Sequence, residues 1–159
     1  MEICVNFNDH RHWIEFPTTI EDIAYDFGID LDEEEDLKWF EESITFEDIE
    51  TDLDFPSHYL DAYSLDDLNA LAECENNFHD EAVAISEVYG LNDVEYCQCR
   101  SAILYRDVTN AEELGKRLVE YGYYDPIPDH LKDFIDYEKI GEDYEWDGDY
   151  TTVGFLMNL

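Results

Sequence analysis

The spacing of apolar and polar positions changes several times along this chain, and each change marks an element. Residues 3–7 (Ile-Cys-Val-Asn-Phe) and 13–16 (Trp-Ile-Glu-Phe) read as two strands, with Asn8–His12 as the turn between them. Thr18-Thr19 followed by Glu21-Asp22 is a capping-box start. Ile20, Ile23, Ala24 and Phe27 then recur at helical spacing, and Gly28 ends the helix. From Trp39 to Phe55 apolar residues are interleaved with acids, which predicts ordered structure with charge on its outer face. A strand near Ile49–Phe55 is expected to close a small sheet with the first hairpin.

Ser64 caps a helix with Leu65, Leu68, Leu71 and Ala72 inward, and a second helix covers about Phe78–Tyr89 before Gly90. Ser101–Arg106 reads as a strand, while Val94–Arg100 fits either a strand or a short helix. Asn110 and Glu113 cap a helix whose Leu114, Leu118 and Tyr121 share a face; Gly122 stops it. In Ile127–Tyr144, Pro128 suits a first helical turn, and Leu131, Phe134 and Ile135 form an apolar face. Asp136 caps a second short helix, Ile135 and Ile140 make a hydrophobic staple, and Gly141 is the expected stop. Asp147-Gly148-Asp149 reads as a hairpin turn between Tyr144–Trp146 and Tyr150–Met157. The class is α+β in three small subdomains: an acidic α/β part (1–63), a helical part (64–99) and a C-terminal α/β part (100–159).

Composition changes what this pattern means. The 159 residues hold 43 acids and 8 Lys or Arg, a formal charge of −35. Disordered acidic tails are poor in aromatics, whereas this chain has 12 Tyr, 9 Phe and 3 Trp. The charge therefore belongs on a folded surface, which repels nucleic acid and attracts a basic partner. It is also uneven: residues 1–99 carry a net −27 and residues 100–159 a net −8. Contact between two like-charged protomers costs least through the C-terminal part.

The start of the chain has no basic, apolar leader, and no stretch approaches a membrane span. Cys4, Cys74, Cys97 and Cys99 lack the density of a disulfide framework and read as reduced thiols of a cytoplasmic protein. No catalytic, cofactor or metal set emerges, so an enzyme is not expected. With so many acids, paired carboxylates carry no catalytic information. His10-Arg11-His12 lacks a third ligand nearby, and Cys97-x-Cys99 has neither zinc nor redox spacing. A calcium loop begun at Asp143 places Gly154 where a bidentate Glu is required.

Several stretches resemble a known family. Ile127-Pro128-x-x-Leu131-x-x-Phe134-Ile135-Asp136-Tyr137-Glu138-x-x-Gly141-x-Asp143 is similar to the C-terminal segment of the ArdA-type antirestriction proteins, acidic DNA mimics of phages and mobile elements. Where that family usually has Gly-Arg-Asp-Leu, this chain has Gly141-Glu142-Asp143-Tyr144. Trp13–Pro17, Ser64–Asn69 and the β-rich tail match in order, so the resemblance spans most of the chain. It implies an elongated homodimer that blocks type I restriction–modification enzymes at their methyltransferase core, in the bacterial cytoplasm, with no nucleic acid or membrane as partner.

In that reading carboxylates stand in for phosphates. The candidates are Asp22, Asp26, Asp32, Glu33, Glu34, Glu35, Asp36, Glu41, Glu42, Glu47, Asp48, Asp52, Asp54, Asp61, Asp66, Asp67 and Glu73. The dimer or family motif is Pro128, Leu131, Phe134, Ile135, Asp136, Tyr137 and Gly141. Duplex DNA carries one charge per about 1.7 Å, so a net −27 matches roughly 45 Å of duplex. The other reading is an acidic adaptor or chaperone for a different basic DNA-binding protein.

Overall fold

A computed structural model describes residues 1–31 and 34–159. It is an α+β protein with two three-stranded antiparallel sheets. The first is built from β1 (Glu2–Phe7), β2 (His10–Glu15) and β3 (Thr45–Glu50), in the order β2-β1-β3. Ile3, Cys4 and Val5 of β1 are all buried, so both faces of this central strand are covered. The β1–β2 turn is shorter than the sequence suggests. Asn8 and Asp9 take φ of 50° and 65°, the left-handed pair that a two-residue hairpin needs, and Phe7 pairs directly with His10. His10, Arg11 and His12 are therefore strand residues rather than turn residues.

The third strand also lies elsewhere than expected, over Thr45–Glu50 rather than near Ile49–Phe55. The cause is a break in register. Cys4 pairs with Asp48 and Val5 with Phe46, leaving Glu47 as an extra residue. A bulge resets which side chains face the core, so Phe46 and Ile49 both pack inward although three positions separate them. No period-2 pattern survives such an insertion.

Two helices cover this sheet, α1 (Ile20–Asp26) and α2 (Glu34–Ser43). Thr19 caps α1 through the Asp22 N–H, and Gly28 follows at φ 69° as the reading required. Ile23, Ala24, Phe40 and Ile44 meet Ile3, Val5, Phe7, Ile14 and Phe16 in one core. Phe7 is its hub, with ring centroids 5.0 Å from Phe40 and 5.9 Å from both Phe27 and Trp39.

The helical module is α3 (Leu65–Asn77), α4 (His79–Val88) and the short α5 (Tyr96–Ser101). Ser64 and Asp67 make the full reciprocal capping box at the start of α3. Phe78 alone separates α3 from α4, closing one helix on Cys74 and opening the next to Ala82. In α4 five successive residues, Ala82 to Ser86, are buried, so this helix is enclosed on every side. Its neighbours are α3, α5 and the strands of the second sheet. Truncating a fully buried side chain such as Ile85 to Ala costs about 2–5 kcal/mol.

The second sheet has the order β4-β6-β5, from β4 (Leu104–Arg106), β5 (Gly148–Thr151) and β6 (Gly154–Met157). The hairpin turns at Thr152-Val153, not at Asp147-Gly148-Asp149. Gly148 is extended and begins β5. Its missing side chain admits the Leu156 carbonyl, which would lie 2.2 Å from a Cβ there. The Thr151 hydroxyl holds the true turn, accepting from the Gly154 N–H and donating to its carbonyl.

Against this sheet lie α6 (Ala111–Glu120), capped by Asn110, and α7 (Tyr137–Tyr144), capped by Asp136. Gly141 does not stop α7. It lies inside that helix, where a Cβ would come within 1.8 Å of the Ala111 carbonyl oxygen. The first half of the expected helix pair is a 3-10 turn over Asp129–Phe134, preceded by Pro128. No helix among the described residues is long and apolar enough to cross a membrane.

Candidate partner-binding surface

The acids proposed to meet a partner are carried on the outer sides of these elements. Asp22 and Asp26 lie on α1, Asp36, Glu41 and Glu42 on α2, and Glu47 and Asp48 on β3. Asp52 and Asp54 follow β3, Asp61 falls in the 3-10 turn Ser57–Ala62, and Asp66, Asp67 and Glu73 belong to α3. All thirteen of these residues are exposed. The remaining candidates, Asp32 and Glu33 together with the side chains of Glu34 and Glu35, lie outside the described residues.

Some of these acids also hold the fold. The Asp67 carboxylate accepts from the Ser64 N–H and hydroxyl, which keeps it below the usual carboxylate range. Asp22 accepts from the Thr19 hydroxyl at 2.8 Å. Glu47 meets Arg11 at 2.6 Å and accepts from the Asn6 amide at 2.6 Å. Asp52 Oδ2 stands 2.9 Å from His79 Nε2, and this contact with Asp52, followed by that with Asp80, raises the imidazole above its ordinary value.

Among the described residues, six of the eight Lys and Arg side chains form pairs within the chain: Arg11, Lys38, Arg106, Lys116, Arg117 and Lys132. Exposed pairs of this kind contribute about 0–1 kcal/mol each. Thirty-five acids in excess remain to set the outer field.

Among the described residues, one acid departs from this pattern. Glu75 on α3 is buried, and its Oε1 accepts from the Thr51 hydroxyl and the Asp52 N–H. Its helical spacing from Leu68 and Leu71 was the available signal, and its charge concealed it. Arg106 was likewise not singled out by the sequence. It reaches from β4 to Asp80 and Glu81 on α4, at 2.6 Å to the latter. Glu87 of α4 accepts from both the N–H and the hydroxyl of Thr152. The helical module is thus tied to the second sheet by polar contacts at both ends of α4.

The C-terminal motif divides in two. Asp136 caps α7, its carboxylate accepting from the Lys139 N–H, while Tyr137 and Gly141 serve the α6–α7 contact, with the Tyr137 carbonyl against Gly115 and Gly141 against the Ala111 carbonyl. Leu131 and Phe134 are left facing water, Phe134 at 84% exposure, while Ile135 is half-buried and Pro128 exposed. Tyr121, Tyr123, Tyr124 and Trp146 are also exposed on this part.

Fold and surface together define a class: a folded polyanion whose few cations are largely engaged internally. The model of the antirestriction protein family ArdA matches residues 8–155, nearly the whole chain, and the chain belongs to that family. Family membership implies an antirestriction role directed at restriction enzymes. A comparison with curated proteins found no match.

Proposed function

We propose that this protein blocks type I restriction–modification enzymes by occupying their DNA groove as a non-catalytic DNA mimic. The observation that carries the reading is the solvent-facing array of carboxylates on α1, α2, β3 and α3, in a part of the chain whose net charge is −27. A groove built for phosphates presents Lys and Arg, and carboxylates meet these with charge-assisted hydrogen bonds. Binding releases the anions condensed in the empty groove, and no bond is broken.

Two protomers are proposed to join through the C-terminal part. Leu131 and Phe134 are exposed there, and the net charge of −8 opposes association least. A dimer would offer two acidic arms to an enzyme that grips two half-sites.

Competition tests the reading. The protein is titrated into a type I methyltransferase core bound to fluorescent duplex DNA. Displacement near one dimer per enzyme is expected. Binding to the enzyme without release of DNA would instead favour an acidic adaptor.

A further inference from the structure

Trp39 on α2 is 54% exposed, although tryptophan is a large apolar side chain that folds usually bury. Packing holds the indole in place. It stands edge-on to Phe7, the hub of the first core, with ring centroids 5.9 Å apart and planes at 87°. Phe7 also meets Phe27 at 5.9 Å, and Phe27 meets the exposed His12 at 4.5 Å. Rings from α2, the end of α1 and β2 are thus linked into one cluster. It lies in the part of the chain that carries the net −27.

We propose, on the footing of the DNA-mimic reading, that Trp39 receives an arginine of the partner's groove on its indole face. The position of the ring among the acids carries this. Asp36 and Glu42 lie three residues before and three after Trp39 on α2, and all three are exposed. At 3.6 residues per turn the two carboxylates stand about 60° to either side of the indole around the helix axis. Residues at this spacing are neighbours on a helix surface. A groove that both carboxylates enter therefore also covers the ring between them. Lys38, the one cation of α2, pairs with Glu42 at 4.0 Å.

The chemistry of the ring selects the occupant. The negative face of an aromatic ring attracts a cation, and tryptophan does so best. A net −27 draws a basic partner to this surface. Of the two basic side chains, arginine has the planar, weakly hydrated group that stacks on an aromatic face, whereas the ammonium of lysine is compact and strongly hydrated. A guanidinium lying on the indole also turns its N–H groups outward in the plane of the ring, where flanking carboxylates can accept them. The sugar–phosphate backbone offers such an arginine no ring. Trp39 thus adds to binding something that matching of charge alone does not supply.

Affinity for a type I methyltransferase core is measured for wild type, Trp39→Phe and Trp39→Leu. Leucine keeps an apolar side chain and removes the π face; it should bind about tenfold more weakly, the loss that one good cation–π contact sets. Phenylalanine keeps a smaller ring and should lose about threefold or less. Both replacements give up packing against Phe7, so the comparison between them isolates the face of the ring, and thermal melting of each variant checks the fold. Equal affinity in the two variants, or wild-type affinity in Trp39→Leu, overturns the proposal and leaves the DNA-mimic reading standing. A wild-type protein that does not bind the enzyme overturns both.

Discussion

A Cβ placed on Gly115 would stand 3.0 Å from the backbone nitrogen of Gly141. The two glycines let α6 and α7 approach until backbone meets backbone, with the Tyr137 and Ala111 carbonyls filling the space that side chains would take.

Gly141→Ala is therefore expected to destabilise the protein. In an ordinary helix interior Gly→Ala stabilises by about 1 kcal/mol. Here the new methyl meets a rigid carbonyl 1.8 Å away, and overpacking costs about 1–3 kcal/mol or more. Thermal melting reads the sign directly. A variant as stable as wild type would mean the helices separate freely.

Phe134→Asp should leave the fold intact, because the ring is 84% exposed. It should abolish self-association if the C-terminal part joins protomers. Sedimentation velocity at micromolar concentration gives the mass, and circular dichroism checks the fold. A wild-type monomer, or a variant that still dimerises, removes this surface from the interface.

Salt should act in opposite directions on stability and on binding. Repulsion among 43 acids opposes the compact state, and screening shortens its reach to about 10 Å at 0.1 M salt. The melting temperature should rise between roughly 0.05 and 0.5 M salt while affinity for the methyltransferase falls. Affinity that holds constant or grows would rule out the electrostatic mechanism.

Asp67 links the cap of α3 to pH. Its carboxyl is depressed in the folded state by hydrogen bonds from Ser64, so its stabilisation is complete above the unfolded value of about 3.9. It is lost as pH falls through the lower folded value. Asp67→Asn should melt below wild type at neutral pH, and the difference should shrink below about pH 4. A difference independent of pH would assign the effect to packing. Ser64→Ala, which removes the other half of the box, should cost about 1 kcal/mol.

The four thiols should react unequally. Cys97 is exposed, while Cys4, Cys74 and Cys99 are buried. Burial pushes the Cys99 thiol up to about 12, removing its thiolate near neutrality. Brief iodoacetamide treatment should add one label to the native chain, at Cys97, and four after denaturation. Mass spectrometry distinguishes the sites.

The sequence was most legible where a local rule acts alone. Thr19, Ser64, Asn110 and Asp136 each announce a helix start, and each does cap one. Legibility failed where a distant partner decides. Nothing beside Glu47 reveals that β1 imposes a bulge there. Gly141 has the local signature of a stop, yet α6 makes it a contact point. Gly148 stands in a turn-like setting, but Leu156 draws it into a strand. On the acidic surface, residue type alone picked out acids that the structure leaves exposed. It could not separate Asp67 and Glu47, which also hold the fold, from neighbours that carry only charge. Glu75 was missed because burial of an acid depends on Thr51 and Asp52, more than twenty positions away.

The enclosure of α4 implies an order in which the native state opens. A helix surrounded on all sides cannot lose its hydrogen bonds until its neighbours have left, so its amides should exchange with solvent only on global unfolding. The 3-10 turn at Asp129–Phe134 and the outer strand β2 can open alone and should exchange first. Opening should therefore run inward from these outlying elements, with Ala82–Ser86 the last segment to release its protons.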